Sequence, residues 1–271
     1  MMDSKLPASA DLEVLPCDEA WNAEIHIMLT QILSSRIQTG MHFLIVTSVA
    51  IVCLRMPLEA AERNVKRIPA FNSASRILFQ GDSITDGNRG RSADPNHILG
   101  HGYVFITAAR HGAAFPSDRL DFINRGISGH TVLDLEMRWK TDALDLKPDI
   151  LSVLIGVTDD ARGVPLDQYE RVYDALLAQA RAANPALKLV LCEPFVKHDG
   201  PIRDSLVKRQ AIVAALAKKY GAALVRFQRV FDEASKTAPA DYWIWDKVHP
   251  TYRGHQLMAD EWERVVRQTW K

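Results

Sequence analysis

The sequence predicts a three-layer α/β/α sandwich on a mostly parallel five-stranded sheet. Three observations carry that class. Between residues 72 and 271 five short apolar runs recur, and the central ones are apolar on both faces, as in parallel strands covered by helices. Segments of helical periodicity lie between them. Turn-forming residues follow the runs, where ligands gather in open α/β sheets, beyond the carboxyl ends of the strands.

The first run, residues 76–80, is RILFQ and stops at Gly81-Asp82-Ser83. The second, 120–124, is LDFIN and ends near Gly126. The third, 149–156, is the longest and closes on Gly156. The fourth, 187–192, is stopped before Pro194, and the fifth covers 223–227. Between the third and fourth, residues 166–183 place Leu166, Tyr169, Val172, Tyr173, Leu176, Leu177 and Ala180 on one helical face behind Pro165. Residues 202–220 do the same with Leu206, Ile212, Val213 and Leu216, and Gly221 supplies a C-cap. A last helix is expected over 252–270, with Leu257, Trp262, Val265 and Val266 inward. No internal repeat or low-complexity tract interrupts this pattern.

Composition narrows the function classes. The 271 residues are 47% hydrophobic and 24% charged, with 33 basic against 33 acidic residues. That balance, without any dense Lys/Arg block, argues against a nucleic-acid partner. Three cysteines, Cys17, Cys53 and Cys192, do not make a disulfide scaffold, and no CxxC or HExxH metal motif occurs.

The N-terminal region reads differently. Residues 1–40 form an N-terminal extension, 41–58 an apolar signal-like or anchor segment, 59–71 a linker, and 72–271 the folded domain. The apolar run at 41–54 is shorter than the roughly 20 residues that span a bilayer. It reads as the core of an export signal starting at Met41, with Ala60 and Ala61 beyond it, though no Lys or Arg separates Met41 from the run. It also reads as a short anchor flanked by Arg55 and Arg63, or as an extra buried helix. Export to the periplasm or exterior is the expectation over a cytoplasmic location. Membrane contact, if any, is expected only through 41–54.

Two separated features carry chemistry. Ser83 follows a glycine turn at a strand end, where free N–H groups at a helix start can meet developing negative charge. Asp246 and His249 share one loop before the last helix, so the carboxylate can orient an imidazole whose other nitrogen faces a serine. Taken alone, each feature also fits a helix cap or a surface histidine.

Together, in their order, spacing and predicted strand ends, they resemble the SGNH hydrolases, the GDSL esterase/lipase family, from Arg76 to the C-terminus. The blocks are Gly81-Asp82-Ser83-Ile84-Thr85, Gly126 within Asn124-Arg125-Gly126-Ile127-Ser128-Gly129, and Asp246-Lys247-Val248-His249-Pro250. The resemblance implies a flavodoxin-like fold, Ser83 as nucleophile, His249 as general base and Asp246 as its orienting carboxylate. It implies oxyanion donors from the Ser83 and Gly126 N–H groups, and no metal or organic cofactor. One block departs from the family pattern Gly-x-Asn-Asp. Here Gly156-Val157-Thr158-Asp159 puts Thr158 where the third oxyanion donor, an asparagine amide, is expected. A hydroxyl reaches less far than an amide, and losing such a donor costs on the order of 3 kcal/mol in subtilisin. Asp159 is expected to support the loop by accepting backbone N–H bonds.

The substrate expectation is a short acyl ester, acetyl first, on a small molecule or a carbohydrate. The sequence resembles carbohydrate-acting acetylesterases more than lipases with long apolar lids. Candidate pocket residues are Trp243, Trp245, Arg125 and Glu193, with Asn96, His97, His101, Tyr103 and His130 as further residues able to reach the mouth. The competing reading is a low-activity or non-catalytic carbohydrate-binding protein on the same fold, favoured by Thr158 and opposed by the intact Ser83, Asp246 and His249. Neither GxGxxG nor GxxxxGK follows the first run, which excludes the common nucleotide-binding loops.

Overall fold

The computed structural model describes residues 65–197 and 203–271. The chain divides into two units, Met1–Ala61 and Glu62–Lys271. The expected extension at 1–40, the apolar 41–58 segment, residues 59–64 of the linker, Cys17 and Cys53 lie outside the described residues.

Five strands form one sheet: β1 (Arg76–Gly81), β2 (Asp121–Asn124), β3 (Ile150–Leu154), β4 (Lys188–Cys192) and β5 (Ala223–Val225). Their order is β2-β1-β3-β4-β5 and every pairing is parallel, so the sheet is parallel throughout. This is the flavodoxin-like order, whose topological switch point lies between β1 and β3. The chain enters the sheet at β1, places β2 on one side, and builds β3 to β5 on the other.

Strand alternation divides the core in two. Ile77, Phe79, Ile150, Leu154, Val190 and Cys192 face one layer. That layer is α2 (Tyr103–Ala114) and α9 (Tyr252–Thr269), with Trp262 and Met258 pressed on the strands. Leu78, Leu151, Val153, Leu189 and Leu191 face the other. It consists of α3 (Val132–Trp139), α5 (Leu166–Ala183) and α6 (Asp204–Tyr220). Two polar groups sit inside this apolar packing and are satisfied there. The Trp262 indole donates to Ser152 Oγ at 3.0 Å, and the Trp139 indole to the Leu176 carbonyl at 3.1 Å.

Several boundaries differ from the sequence reading. The fifth run stops at Val225, and Phe227 instead opens α7 (Phe227–Ala234), its ring buried against Phe195 and Tyr103. Tertiary packing there outweighs strand propensity. The third run stops at Leu154 because Gly156 turns at φ +134°. The helix expected from 202 begins at Asp204, and the one expected through 270 ends at Thr269. Ile68, Ala70 and Phe71, assigned to the linker, are buried in the core, and Phe71 meets the rings of His111, Phe122 and Trp262. The domain's packing therefore begins before residue 72.

Trp262 joins the last helix to the middle of the sheet by both area and hydrogen bond. Trp262→Ala should lower unfolding free energy by about 3–5 kcal/mol. Urea titration of both proteins checks this; a change under about 1 kcal/mol would mean that α9 is not anchored through this ring.

Candidate active site

β1 ends in Gly81, and no larger residue fits. A Cβ there would lie 2.4 Å from the Leu154 carbonyl oxygen and 2.4 Å from Thr85 Oγ1. The chain then turns directly into α1 (Ser83–Asp86), a single turn closed by Gly87 in the left-handed region. Asp82 is its N-cap and accepts the Ile84 N–H at 3.1 Å. Ser83 opens the turn, so its own N–H has no acceptor within the helix.

The loop from α8 (Ala240–Trp243) to α9 brings the imidazole to this serine. Ile244 and Pro250 form an antiparallel bridge, Trp245 N–H donates to the His249 carbonyl at 3.1 Å, and Thr251 N–H to the Trp243 carbonyl at 2.8 Å. The loop is thereby pinched into one shape. Within it His249 Nε2 lies 2.8 Å from Ser83 Oγ, and His249 Nδ1 lies 2.6 Å from Asp246 Oδ2. Asp246 Oδ1 accepts the N–H groups of Val248 and His249, each at 2.8 Å. Burial raises the Asp246 carboxyl, but the His249 and Val248 donors outweigh it and hold the pKa below the ordinary range. Asp246 therefore stays ionised and fixes the proton of the ring on Nδ1, leaving Nε2 to accept from Ser83.

The second wall follows β2. Asn124 Nδ2 donates to the Thr85 carbonyl at 2.7 Å and the Leu99 carbonyl at 3.0 Å. Its Oδ1 is thus turned to the Gly126 N–H, which it accepts at 2.9 Å. The Gly126 N–H expected to face an oxyanion is already engaged by this Asx turn. Gly126 lies hard against α1, where a Cβ would come within 2.3 Å of the Asp86 nitrogen. Arg89, buried, clasps the Gly126 carbonyl at 2.9 Å. Burial, with Arg91 and Arg125 nearby, pulls the Arg89 guanidinium down to about 10. Asp86 ties the two walls: it accepts Arg91 through both oxygens, and Ser128 through N–H at 2.9 Å and hydroxyl at 2.8 Å.

The third wall is α4 (Val157–Ala161), after β3. Thr158 Oγ1 lies 3.4 Å from Asp82 Oδ2, so its hydroxyl is directed to the carboxylate that precedes Ser83. Asp159 is fully buried and accepts the Val132 N–H at 2.9 Å, linking this turn to α3. Burial pushes its pKa to about 6.

The candidate pocket residues separate. Trp245 is 67% exposed, with its ring stacked beside that of His249. Trp243 is half-buried, its indole donating to the Ala234 carbonyl at 3.0 Å. It borders an open groove of about 540 Å³ shared with His101, Phe105, Tyr242, Tyr252 and Arg253. The Arg253 guanidinium stacks over both tyrosines at 4.3 Å. Glu193 is buried against Arg226 at 3.3 Å, and burial raises it to about 7. Arg125 lies 3.8 Å from Asp142. His97 and Asn96 are held by Asp94 in an exposed turn, and His130 Nδ1 accepts from Arg138 at 3.2 Å. Tyr103 is in the core and donates its phenol to, or accepts from, Thr85 Oγ1 at 3.1 Å. The sequence reading missed Asn124 and Asp86, which hold the walls together. An Asn two residues before a strand-end glycine was the available sign of the Asx turn.

This geometry sits in a chain with clear relatives. The model of the GDSL-like Lipase/Acylhydrolase family matches residues 79–257, which include all three walls. An acetylxylan esterase from Geobacillus stearothermophilus is 32% identical over 216 residues, covering 74% of this chain and 97% of that protein. A crystal structure of an acetylxylan esterase from the same organism superposes with TM-score 0.67 at 31% identity, covering 73% of this chain and 96% of the other. A putative GDSL-like lipase from Parabacteroides merdae ATCC 43184 superposes with TM-score 0.68 at 37% identity, covering 72% and 97%.

The contact of Gly126 with α1 makes a specific demand. Gly126→Ala should destabilise the fold by about 1–3 kcal/mol, since the new methyl must push the Asp86 backbone away. Unaltered denaturant unfolding would show that the two walls can part without cost.

Proposed function

The chain belongs to the GDSL-like Lipase/Acylhydrolase family, and from that footing we propose that it is a serine esterase removing acetyl groups from acetylated carbohydrate. It is a carboxylic ester hydrolase, as its relatives are. The observation that carries the proposal is the chain of contacts Ser83 Oγ to His249 Nε2 at 2.8 Å and His249 Nδ1 to Asp246 Oδ2 at 2.6 Å.

In this reading Ser83 Oγ attacks the ester carbonyl as its proton passes to His249 Nε2. Asp246 steadies the imidazolium that forms. The carbonyl oxygen becomes an oxyanion beside the Ser83 N–H. Gly126 contributes by sharing its N–H between Asn124 Oδ1 and the substrate. The imidazolium gives its proton to the leaving sugar oxygen, and the C–O bond breaks. Water then attacks the acyl-enzyme, His249 takes its proton, and acetate leaves as Ser83 is regenerated.

The carbohydrate part of the proposal is supported by the acetylxylan esterase relatives and by the aromatic surface at the loop. Trp245 stands exposed beside His249, and the groove bordered by Trp243 exposes Phe105, Tyr242 and Tyr252. Flat aromatic faces suit the apolar faces of sugar rings, and a short acyl group asks for little enclosed volume at the serine.

Ser83→Ala should reduce hydrolysis of p-nitrophenyl acetate and of acetylated xylo-oligosaccharide to background, a fall on the order of 10⁴-fold or more, with the melting curve intact. Retained turnover in the folded variant would remove Ser83 as nucleophile. Turnover of the aryl ester alone would keep the esterase and refute the carbohydrate.

A further inference from the structure

This inference rests on the reading of Ser83 as nucleophile. The Thr158 hydroxyl, 3.4 Å from Asp82 Oδ2, has a single hydrogen to donate. Asp82 is 1% exposed, and its other oxygen is taken by the Ile84 N–H at 3.1 Å. While Asp82 is a carboxylate, it can only accept, so the Thr158 proton points at it. Thr158 then presents lone pairs to its other neighbours, and lone pairs repel an oxyanion. A neutral Asp82 reverses this bond. The carboxylic acid donates to Thr158 Oγ1, and the Thr158 O–H is released to turn to another acceptor.

We propose that Asp82 is a positioning residue that sets the direction of the Thr158 hydroxyl proton, so that Thr158 donates to the acyl oxyanion only while the Asp82 carboxyl is neutral. No bond to carbon changes; two hydrogen bonds exchange donor and acceptor.

The surroundings put this exchange in the working pH range. Burial raises the Asp82 carboxyl to about 7, against the lowering effect of the Ile84 N–H. Asp159 of α4 raises it further, while Thr158 and His249 lower it. Asp159, itself raised to about 6 by burial, ionises first and opposes the second charge. The other titratable groups coupled to Asp82 are Tyr103 of α2 and Tyr169 of α5, whose phenols burial holds well above their ordinary range and so neutral. Raising the pH through about 7 therefore ionises Asp82 and turns the Thr158 proton away from the site. His249 supplies an opposite effect, because an ionised Asp82 favours the imidazolium of the transition state. The sign of the Asp82 variant distinguishes the two.

The experiment measures kcat of the full chain on p-nitrophenyl acetate from pH 6 to 9.5, corrected for spontaneous hydrolysis. The wild-type kcat should fall roughly tenfold between pH 7 and 9, less than the 10²–10³ of a lost amide donor. Asp82→Asn mimics the neutral acid, its amide donating to Thr158 while its oxygen keeps the Ile84 N–H. It should raise kcat at pH 9 about tenfold over wild type and abolish the alkaline decline. Thr158→Val should show the low rate at every pH, and Asp82→Asn should bring no gain in that background. Thr158→Asn has two amide protons, one for Asp82 and one for the oxyanion, and should also lose the decline. A flat wild-type kcat from pH 7 to 9, an Asp82→Asn variant slower than wild type at pH 9, or a gain that survives Thr158→Val would overturn the proposal. If Asp82→Asn does not fold, wild type and Thr158→Val decide: coincident profiles overturn it. Turnover by Ser83→Ala would instead refute the nucleophile on which the inference stands.

Discussion

The candidate active site depends on backbone segments packed too closely for any side chain to stand between them. Gly81 lies against the Leu154 carbonyl, and Gly126 lies against the first turn of α1. These contacts join the ends of β1, β2 and β3 at the switch point of a parallel sheet, where the strand order leaves a crevice. A parallel sheet alone would leave three loops with independent motions. The two glycines convert them into walls of fixed separation, and Asp86 and Asn124 lock that separation with charged and amide hydrogen bonds. The serine is rigid because its turn is clamped on both sides, and the histidine reaches it from a loop pinched by its own backbone bonds.

That closeness has a cost in acceptor and donor bookkeeping. The Gly126 N–H and the Thr158 hydroxyl each have one hydrogen to give, and each gives it to a neighbour, Asn124 and Asp82. The same bonds that hold the walls take up the hydrogens that the proposed oxyanion site would use. The proposed chemistry and the structural bonds draw on one pool of protons, and a buried polar group left without a partner would cost more than a shared one.

How much of this was legible beforehand follows from the range of each interaction. The strands were visible because their apolar runs are local, and α5 was visible over its whole length because its buried face repeats at helical period. The blocks around Ser83, Gly126 and His249 were visible as motifs at strand ends. α2 was not anticipated: its Val104-Phe105-Ile106-Thr107 start has the β-branched and aromatic character of a strand, and only packing against α9 makes it helical. The short α7 and α8 were hidden for the same reason. Among site residues, the destination of a hydrogen bond was hidden even where its donor was named. Thr158 stands in the expected loop, but the sequence does not reveal that its hydroxyl meets Asp82, 76 positions away. Glu193 looked like a pocket group, yet it is buried against Arg226, a contact set by the register of β4 and β5.

The buried titratable groups show why the sheet must be well packed. Asp82, Asp159 and Glu193 have folded pKa values above their ordinary ones, at about 7, 6 and 7. Between the ordinary and the raised value the folded chain binds the proton and the unfolded chain does not, so each group lowers stability as pH rises through that window. His255 has the opposite shift, down to about 4 by burial, where its Nδ1 accepts the Tyr103 N–H at the start of α2. It stays neutral when the unfolded chain would be charged, so it lowers stability as pH falls from about 6.5 toward 4. Over that acid window the carboxyls and the histidine oppose each other. Above neutrality the histidine no longer contributes, while the penalty of the carboxyls is complete. The site is therefore held at its least favourable protonation by interactions elsewhere, chiefly the two apolar layers that meet across β1, β3 and β4.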